Sequence, residues 1–206
     1  MNGNHPLKFN NLIRKLESIY IGAHEVWQWI LLFAVVIGAG ILWAISYYNK
    51  IKVLGNRIDE AWSQIDVQLK KRFDLVPNLV ETVKGYASHE REIFESIAAA
   101  RAGMVAGSPQ ERMASSDMLT GALGRLFAVA EAYPDLKAVE NFKLFQEQLE
   151  GIENKIAYSR QYYNSSVLNF NNLITTIPGV WFAGGRKPHD YLEIPEESRE
   201  TPKVEF

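Results

Sequence analysis

The sequence predicts an all-α protein: a single N-terminal transmembrane helix followed by an antiparallel four-helix up-and-down bundle. Three observations predict it. Residues 26–48, VWQWILLFAVVIGAGILWAISYY, contain no charge. From Ile51 onward apolar residues recur at helical spacing. Short joints carrying Gly, Ser and Pro divide that pattern into four stretches. The composition agrees, since 47% apolar and 22% charged residues describe a folded chain. A length of 206 residues suits one domain with an anchor. The expected organisation is a polar N-terminal segment (1–25), a transmembrane helix (26–48), a bundle (49–182) and a flexible C-terminal tail (183–206).

The anchor is read from length and flanks. About 20 apolar residues cross a bilayer's hydrocarbon core. Trp27 and Trp29 stand at one end of the run, and Trp43, Tyr47 and Tyr48 at the other, where aromatic rings favour the headgroup interface. A cleaved signal would have a shorter apolar core and a small-residue cleavage site. Here the run ends in Tyr47-Tyr48-Asn49-Lys50. Lys8, Arg14 and Lys15 precede the span, whereas Lys50, Lys52, Arg57, Lys70, Lys71 and Arg72 follow it. Positive charge collects on the cytoplasmic side, so the bundle is expected in the cytoplasm with the N-terminus outside.

The first bundle helix carries a seam of Ile58, Trp62, Ile65 and Leu69, resumed by Val76, Leu79, Val83 and Tyr86. Arg72 interrupts it where a leucine is expected. Pro77 removes a backbone donor and predicts a kink or interruption one turn earlier. Asp74, Asn78 and Glu81 form a polar trio on a face read as adjacent. Two readings of Arg72 stay open. Its stem packs while its head reaches water, or it is a buried cation that requires a carboxylate partner.

Ser88 is positioned to cap a second helix over about residues 89–106, with Glu90 and Glu92 in its first turn. Ser108-Pro109-Gln110-Glu111 is a capping-box start for a third. That helix runs to about Tyr133, with Met118, Leu119, Leu123, Leu126, Phe127 and Ala130 as its apolar side, and Pro134 ends it. The last helix spans about residues 137–177. Its seam comprises Phe142, Phe145, Leu149, Ile152, Ile156, Tyr163, Val167, Phe170 and Ile174. Beside it runs a second stripe, Glu153, Arg160, Asn164 and Asn171, whose members stay within about 20° of one line. Asparagine is a poor helix former, so two on one line call for a hydrogen-bonding role. The candidate polar network is therefore Arg72, Asp74, Asn78, Glu81, Glu153, Arg160, Asn164 and Asn171, with Arg72–Glu153 as the candidate ion pair. Val180, Trp181 and Phe182 form an apolar triplet after Pro178-Gly179, expected to fold onto the bundle or touch a membrane surface.

Several chemistries lack residues. The absence of cysteine removes disulfides, thiolate zinc sites and cysteine nucleophiles. His5, His24, His89 and His189 have no metal-ligand spacing, and phosphate loops and nucleophile elbows do not occur. A net charge of −2 points away from nucleic acid. No catalytic, cofactor-binding or metal-binding residue is therefore assigned.

The run Asp74-Leu75-Val76-Pro77-Asn78-Leu79-Val80, preceded by Arg72, resembles the signature of the LemA family. So do Trp62-Ser63-Gln64, Ala100-Arg101, Glu131-Ala132-Tyr133-Pro134-Asp135-Leu136, residues 150–155 and Arg160-Gln161-Tyr162-Tyr163-Asn164. The resemblance covers about residues 48–181. It implies a bacterial, membrane-anchored four-helix bundle of the bromodomain-like type, and no known enzyme activity. Relatives carrying a lipoprotein signal imply a periplasmic bundle instead. A distant likeness to a magnetosome protein implies assembly or membrane-shaping roles. The expectation is a scaffold or interaction protein of the bacterial inner membrane, with protein partners and a homo-oligomer as its contacts. The alternative is a sensor or small-ligand module that uses the polar seam.

Overall fold

The computed structural model describes residues 5–193. Its helices are α1 (His5–Lys84), α2 (Arg91–Gly103), α3 (Pro109–Ala130), α4 (Pro134–Ala138), α5 (Glu140–Thr175) and α6 (Gly179–Phe182). The chain divides into two compact units, Met1–Lys50 and Ile51–Phe206.

In the first unit, α1 is long and apolar enough to cross a membrane, with a mean hydropathy of 2.4 in its most apolar window. Its apolar side chains Leu31, Phe33, Val35 and Leu42 are all exposed.

In the second unit, the buried side of α1 reads Ile51, Leu54, Ile58, Ala61, Ile65, Leu69, Val76, Leu79 and Val83. This three-and-four spacing holds one face of a helix against a core. The packing is up-and-down. Phe73 of α1 meets Arg101 of α2, and Lys84 meets Phe94. Ser96 of α2 meets Arg125 of α3, while Gly103 lies beside Ser115. Phe127 of α3 meets Phe142 of α5 at a centroid distance of 6.1 Å. Gly55 lies beside Phe170, Trp62 meets Tyr163 edge-on, and Arg72 meets Glu153. Each step forward along α1 is thus an equal step back along α5.

Several boundaries differ from the sequence reading. Pro77 lies inside α1 without ending it. A proline ring leaves the carbonyl four residues earlier without its helical donor. That carbonyl belongs to Phe73, and Arg101 Nε donates to it at 3.0 Å. The Arg101 guanidinium also lies 3.7 Å from the Phe73 ring centroid. A neighbouring helix therefore repairs the break. Ser88 does not cap α2, which begins at Arg91 after Glu90. Ser88 sits too far upstream to reach the first free N–H groups. The capping box of α3 forms as expected: Ser108 Oγ accepts from Glu111 N, and Ser108 N donates to Glu111 Oε2 at 2.7 Å. Those bonds hold the Glu111 carboxyl below its usual range. Pro134 opens α4, because a residue without an N–H suits a first turn. Met118 and Tyr86 are exposed rather than in the core.

Residues 183–193, the first part of the tail expected to be flexible, have little regular structure but lie against α5, and Leu192 is fully buried. The positive φ angles of Gly184 (58°) and Gly185 (76°) turn the chain back along the helix. Residues 194–206 lie outside the described residues.

Candidate functional site

The polar seam lies where α1, α3 and α5 meet. Arg72 occupies a core position of α1 and is only 3% exposed. Its Nη1 lies 2.8 Å from Glu153 Oε2 on α5. Nη1 also donates to Ser116 Oγ at 2.9 Å, and Nη2 to Thr120 Oγ1 at 2.8 Å. Thr120 Oγ1 in turn lies 3.2 Å from Glu153 Oε2 and 3.1 Å from the Ser116 carbonyl. Two turns further along α5, Arg160 pairs with Asp117 of α3 at 2.5 Å. Two cations and two carboxylates thus share one seam, and their charges cancel.

Such a cluster is costly to bury. Burial lowers the pKa of Arg72, opposed chiefly by the charge of Glu153. Burial raises the Asp117 carboxyl despite the hydrogen bond and charge of Arg160. Charges taken out of water repay the desolvation only when they are paired and hydrogen-bonded. Arg72 meets this with two hydroxyls and a carboxylate, although its Nε and that of Arg160 have no partner among the described residues.

The lower half of the α5 stripe does something different. Asn164 Nδ2 donates to the Leu192 carbonyl at 2.9 Å, and Leu192 N donates to Asn164 Oδ1 at 2.8 Å. Asn171 repeats the pattern with His189, at 2.8 and 2.9 Å. An amide side chain offers one donor and one acceptor, as a peptide group does. Each asparagine therefore pairs with backbone as a neighbouring strand would. Arg160 Nη1 adds a bond to the Glu193 carbonyl at 3.2 Å. His189 packs edge-on against Phe170 at 5.1 Å. The C-terminal segment is thereby strapped to α5, and Arg160 joins the strap to the charge cluster.

Of the eight residues assigned to the network from sequence, the structure brings together Arg72, Glu153 and Arg160, with Asn164 and Asn171 continuing the line into the strap. It does not bring in Asp74, Asn78 or Glu81. All three are exposed, and Asp74 pairs with Lys70 on its own helix at 2.7 Å. The reason is angular: at about 100° per residue these positions lie about 200°, 240° and 180° round the helix from Arg72. Sequence reasoning missed Ser116, Asp117 and Thr120. The available signal was a Ser–Thr pair at i and i+4 beside a carboxylate, on a helix otherwise apolar in that turn.

Beside the seam, α1 and α5 leave a groove of about 480 Å³ lined by Gln64, Val67, Gln68, Gly151, Asn154, Lys155, Tyr158 and Ser159. A second hollow, of about 510 Å³, shares Gly151 and Lys155 with it. A Cβ at Gly151 would meet nothing within 4 Å, so there is open space at that position. Gln68 Oε1 is buried and accepts no bond from the described residues. No group of three His, Asp or Glu among the described residues is placed to hold a metal ion.

The model of the LemA family matches residues 61–206. The chain is 26% identical over 175 residues to magnetosome protein MamQ 2 of Paramagnetospirillum magneticum, covering 71% of this chain and 64% of that protein. It is 26% identical over 163 residues to magnetosome protein MamQ of Magnetospirillum gryphiswaldense, covering 66% of this chain and 60% of that protein. The chain thus spans less than two thirds of the length of these magnetosome proteins. It is 28% identical over 157 residues to protein LemA of Metamycoplasma hominis, covering 74% and 70% of the two chains.

Proposed function

The chain belongs to the LemA family, and from that membership we propose that it is a membrane-anchored scaffold or interaction protein of the bacterial inner membrane rather than an enzyme. The observation that supports this reading is the groove between α1 and α5. Large side chains stay in solvent there, with Val67 51% and Tyr158 70% exposed. Tyr162, one turn on from Tyr158, extends the strip. Aromatic residues on a concave helical surface are typical anchors for a protein partner. The partner is a second copy of the bundle, held parallel by a shared membrane, or another membrane-bound protein. The magnetosome relatives support a place at a membrane. Light scattering of the full chain in mild detergent, with crosslinking from Tyr158→Cys in native membranes, tests this. The expected result is an oligomer or one reproducible crosslinked partner. A strict monomer that crosslinks to nothing overturns it.

The bundle faces the cytoplasm in this reading, because Lys50, Lys52 and Arg57 follow the apolar run closely. A periplasmic bundle is the alternative. Protease digestion of the C-terminal segment in spheroplasts separates the two.

A second reading rests on Gln68. Its buried, unpartnered Oε1 in a groove also lined by Asn154 and Lys155 fits a small polar ligand. A ligand that binds the native state raises its apparent stability. A thermal-shift screen of the full chain in detergent therefore tests it, and loss of any hit in Gln68→Leu assigns it to the groove.

A further inference from the structure

The end of the bundle that carries α6 exposes an apolar tip. Ile177 is 73% exposed, Trp181 70% and Val180 47%. Nothing in the fold requires this, because the neighbouring Gly179 and Ala183 are buried and hold the turn in place. The α1–α5 pairing locates the tip. Phe170 lies beside Gly55, and equal steps in opposite directions bring Ile174 level with Ile51. Ile51 is the first residue of the bundle unit. The tip therefore stands at the end of the bundle where the chain joins the apolar run.

Its chemistry suits a lipid surface. Tryptophan with aliphatic neighbours favours the boundary between headgroups and acyl chains. Lys52 and Lys187 are exposed at the same end, the latter two residues before the His189 that Asn171 holds. Basic side chains beside an apolar wedge attract anionic headgroups. A protein partner would have to compete for a surface that chain connectivity already keeps close to the bilayer.

We propose that Ile177, Val180 and Trp181 insert into the headgroup–acyl boundary of the bilayer that residues 26–48 cross, giving the bundle a second membrane contact. The proposal rests on the reading of residues 26–48 as the anchor, and its test keeps the two apart. The chain has no cysteine, so single cysteines can be spin-labelled in the full protein in phosphatidylglycerol-containing vesicles. Ile177→Cys leaves Trp181 in place. Val180→Cys checks it, Leu144→Cys reports a comparably exposed position about 45 Å along α5, and Val35→Cys reports the anchor.

The expected result is an oxygen-to-nickel-chelate collision ratio several-fold higher at positions 177 and 180 than at 144. Trp181→Ser should lower the ratio at 177 toward that at 144. If position 35 lies in the bilayer while 177 and 180 collide freely with the nickel chelate, the tip proposal fails alone. If position 35 is also aqueous, the anchor reading fails with it. Labels at 177 and 180 that are immobile and shielded from both reagents indicate a protein neighbour and also overturn the proposal.

Discussion

Arg72 shows how one residue can be expensive and still fit. Its head is buried, its charge is balanced by Glu153, and Ser116 and Thr120 take up three of its donor contacts. Removing one partner of such a pair strands the other, which costs about 3–5 kcal/mol when both are fully buried. Glu153 is more than a third exposed, so water recovers part of that. Glu153→Ala should therefore destabilise the bundle toward or below the low end of that range. Arg72→Met should cost less, since the carboxylate it leaves behind is partly in water, whereas Glu153→Ala leaves a buried guanidinium. The double variant should recover most of the loss seen in Glu153→Ala. Denaturant unfolding of the full chain in detergent reads all three. Equal losses in Arg72→Met and Glu153→Ala would show that the arginine itself stabilises the fold.

At the scale of elements, α1 and α2 are tied by the repair of a proline. Pro77 leaves the Phe73 carbonyl without a helical donor, and Arg101 supplies one while stacking on the Phe73 ring. Hydrogen bonds from charged donors contribute about 1.5–3 kcal/mol, so Arg101→Ala should destabilise by about that much. In a Pro77→Ala background the residue at 77 regains its N–H and can serve the same carbonyl. The cost of Arg101→Ala should then shrink by roughly half or more, a coupling that a double-mutant cycle measures. Strictly additive effects would separate the two residues. This pairing also accounts for two motifs quoted from the sequence, the segment around Pro77 and Ala100-Arg101, as halves of one contact.

For the whole bundle unit, the strap decides how the C-terminal segment behaves. Asn164 and Asn171 hold it through backbone groups alone, so their grip does not depend on the strap's side chains, which add the burial of Leu192 and the packing of His189 on Phe170. In Asn164→Ala/Asn171→Ala, amide exchange at Leu192 should accelerate by at least about tenfold, since two amide pairings worth about 1 kcal/mol each are lost. Proteolysis near Gly184 and Gly185 should rise with it, while exchange within α5 stays slow. If Leu192 kept its protection, its own burial rather than the asparagines would be the main restraint.

The sequence by itself determined the helices, the apolar run, the buried seam of α1 and the stripe on α5, because each is a local property of spacing along one helix. It placed Arg72 opposite Glu153 because both interrupt or flank seams that must face each other. It misplaced Asp74, Asn78 and Glu81, although the helical angle that excludes them was already present in their numbering. Tertiary structure alone decided the rest. Ser116, Asp117 and Thr120 entered the charge cluster because α3 packs there, and no periodicity within α3 marks that neighbour. Arg101 rescued a carbonyl 28 residues away. The asparagines proved to be a clamp only once the Gly184–Gly185 turn brought the chain back. Local patterns report which face of a helix avoids water, but the partner of a buried polar group is set by which helices meet and at what level.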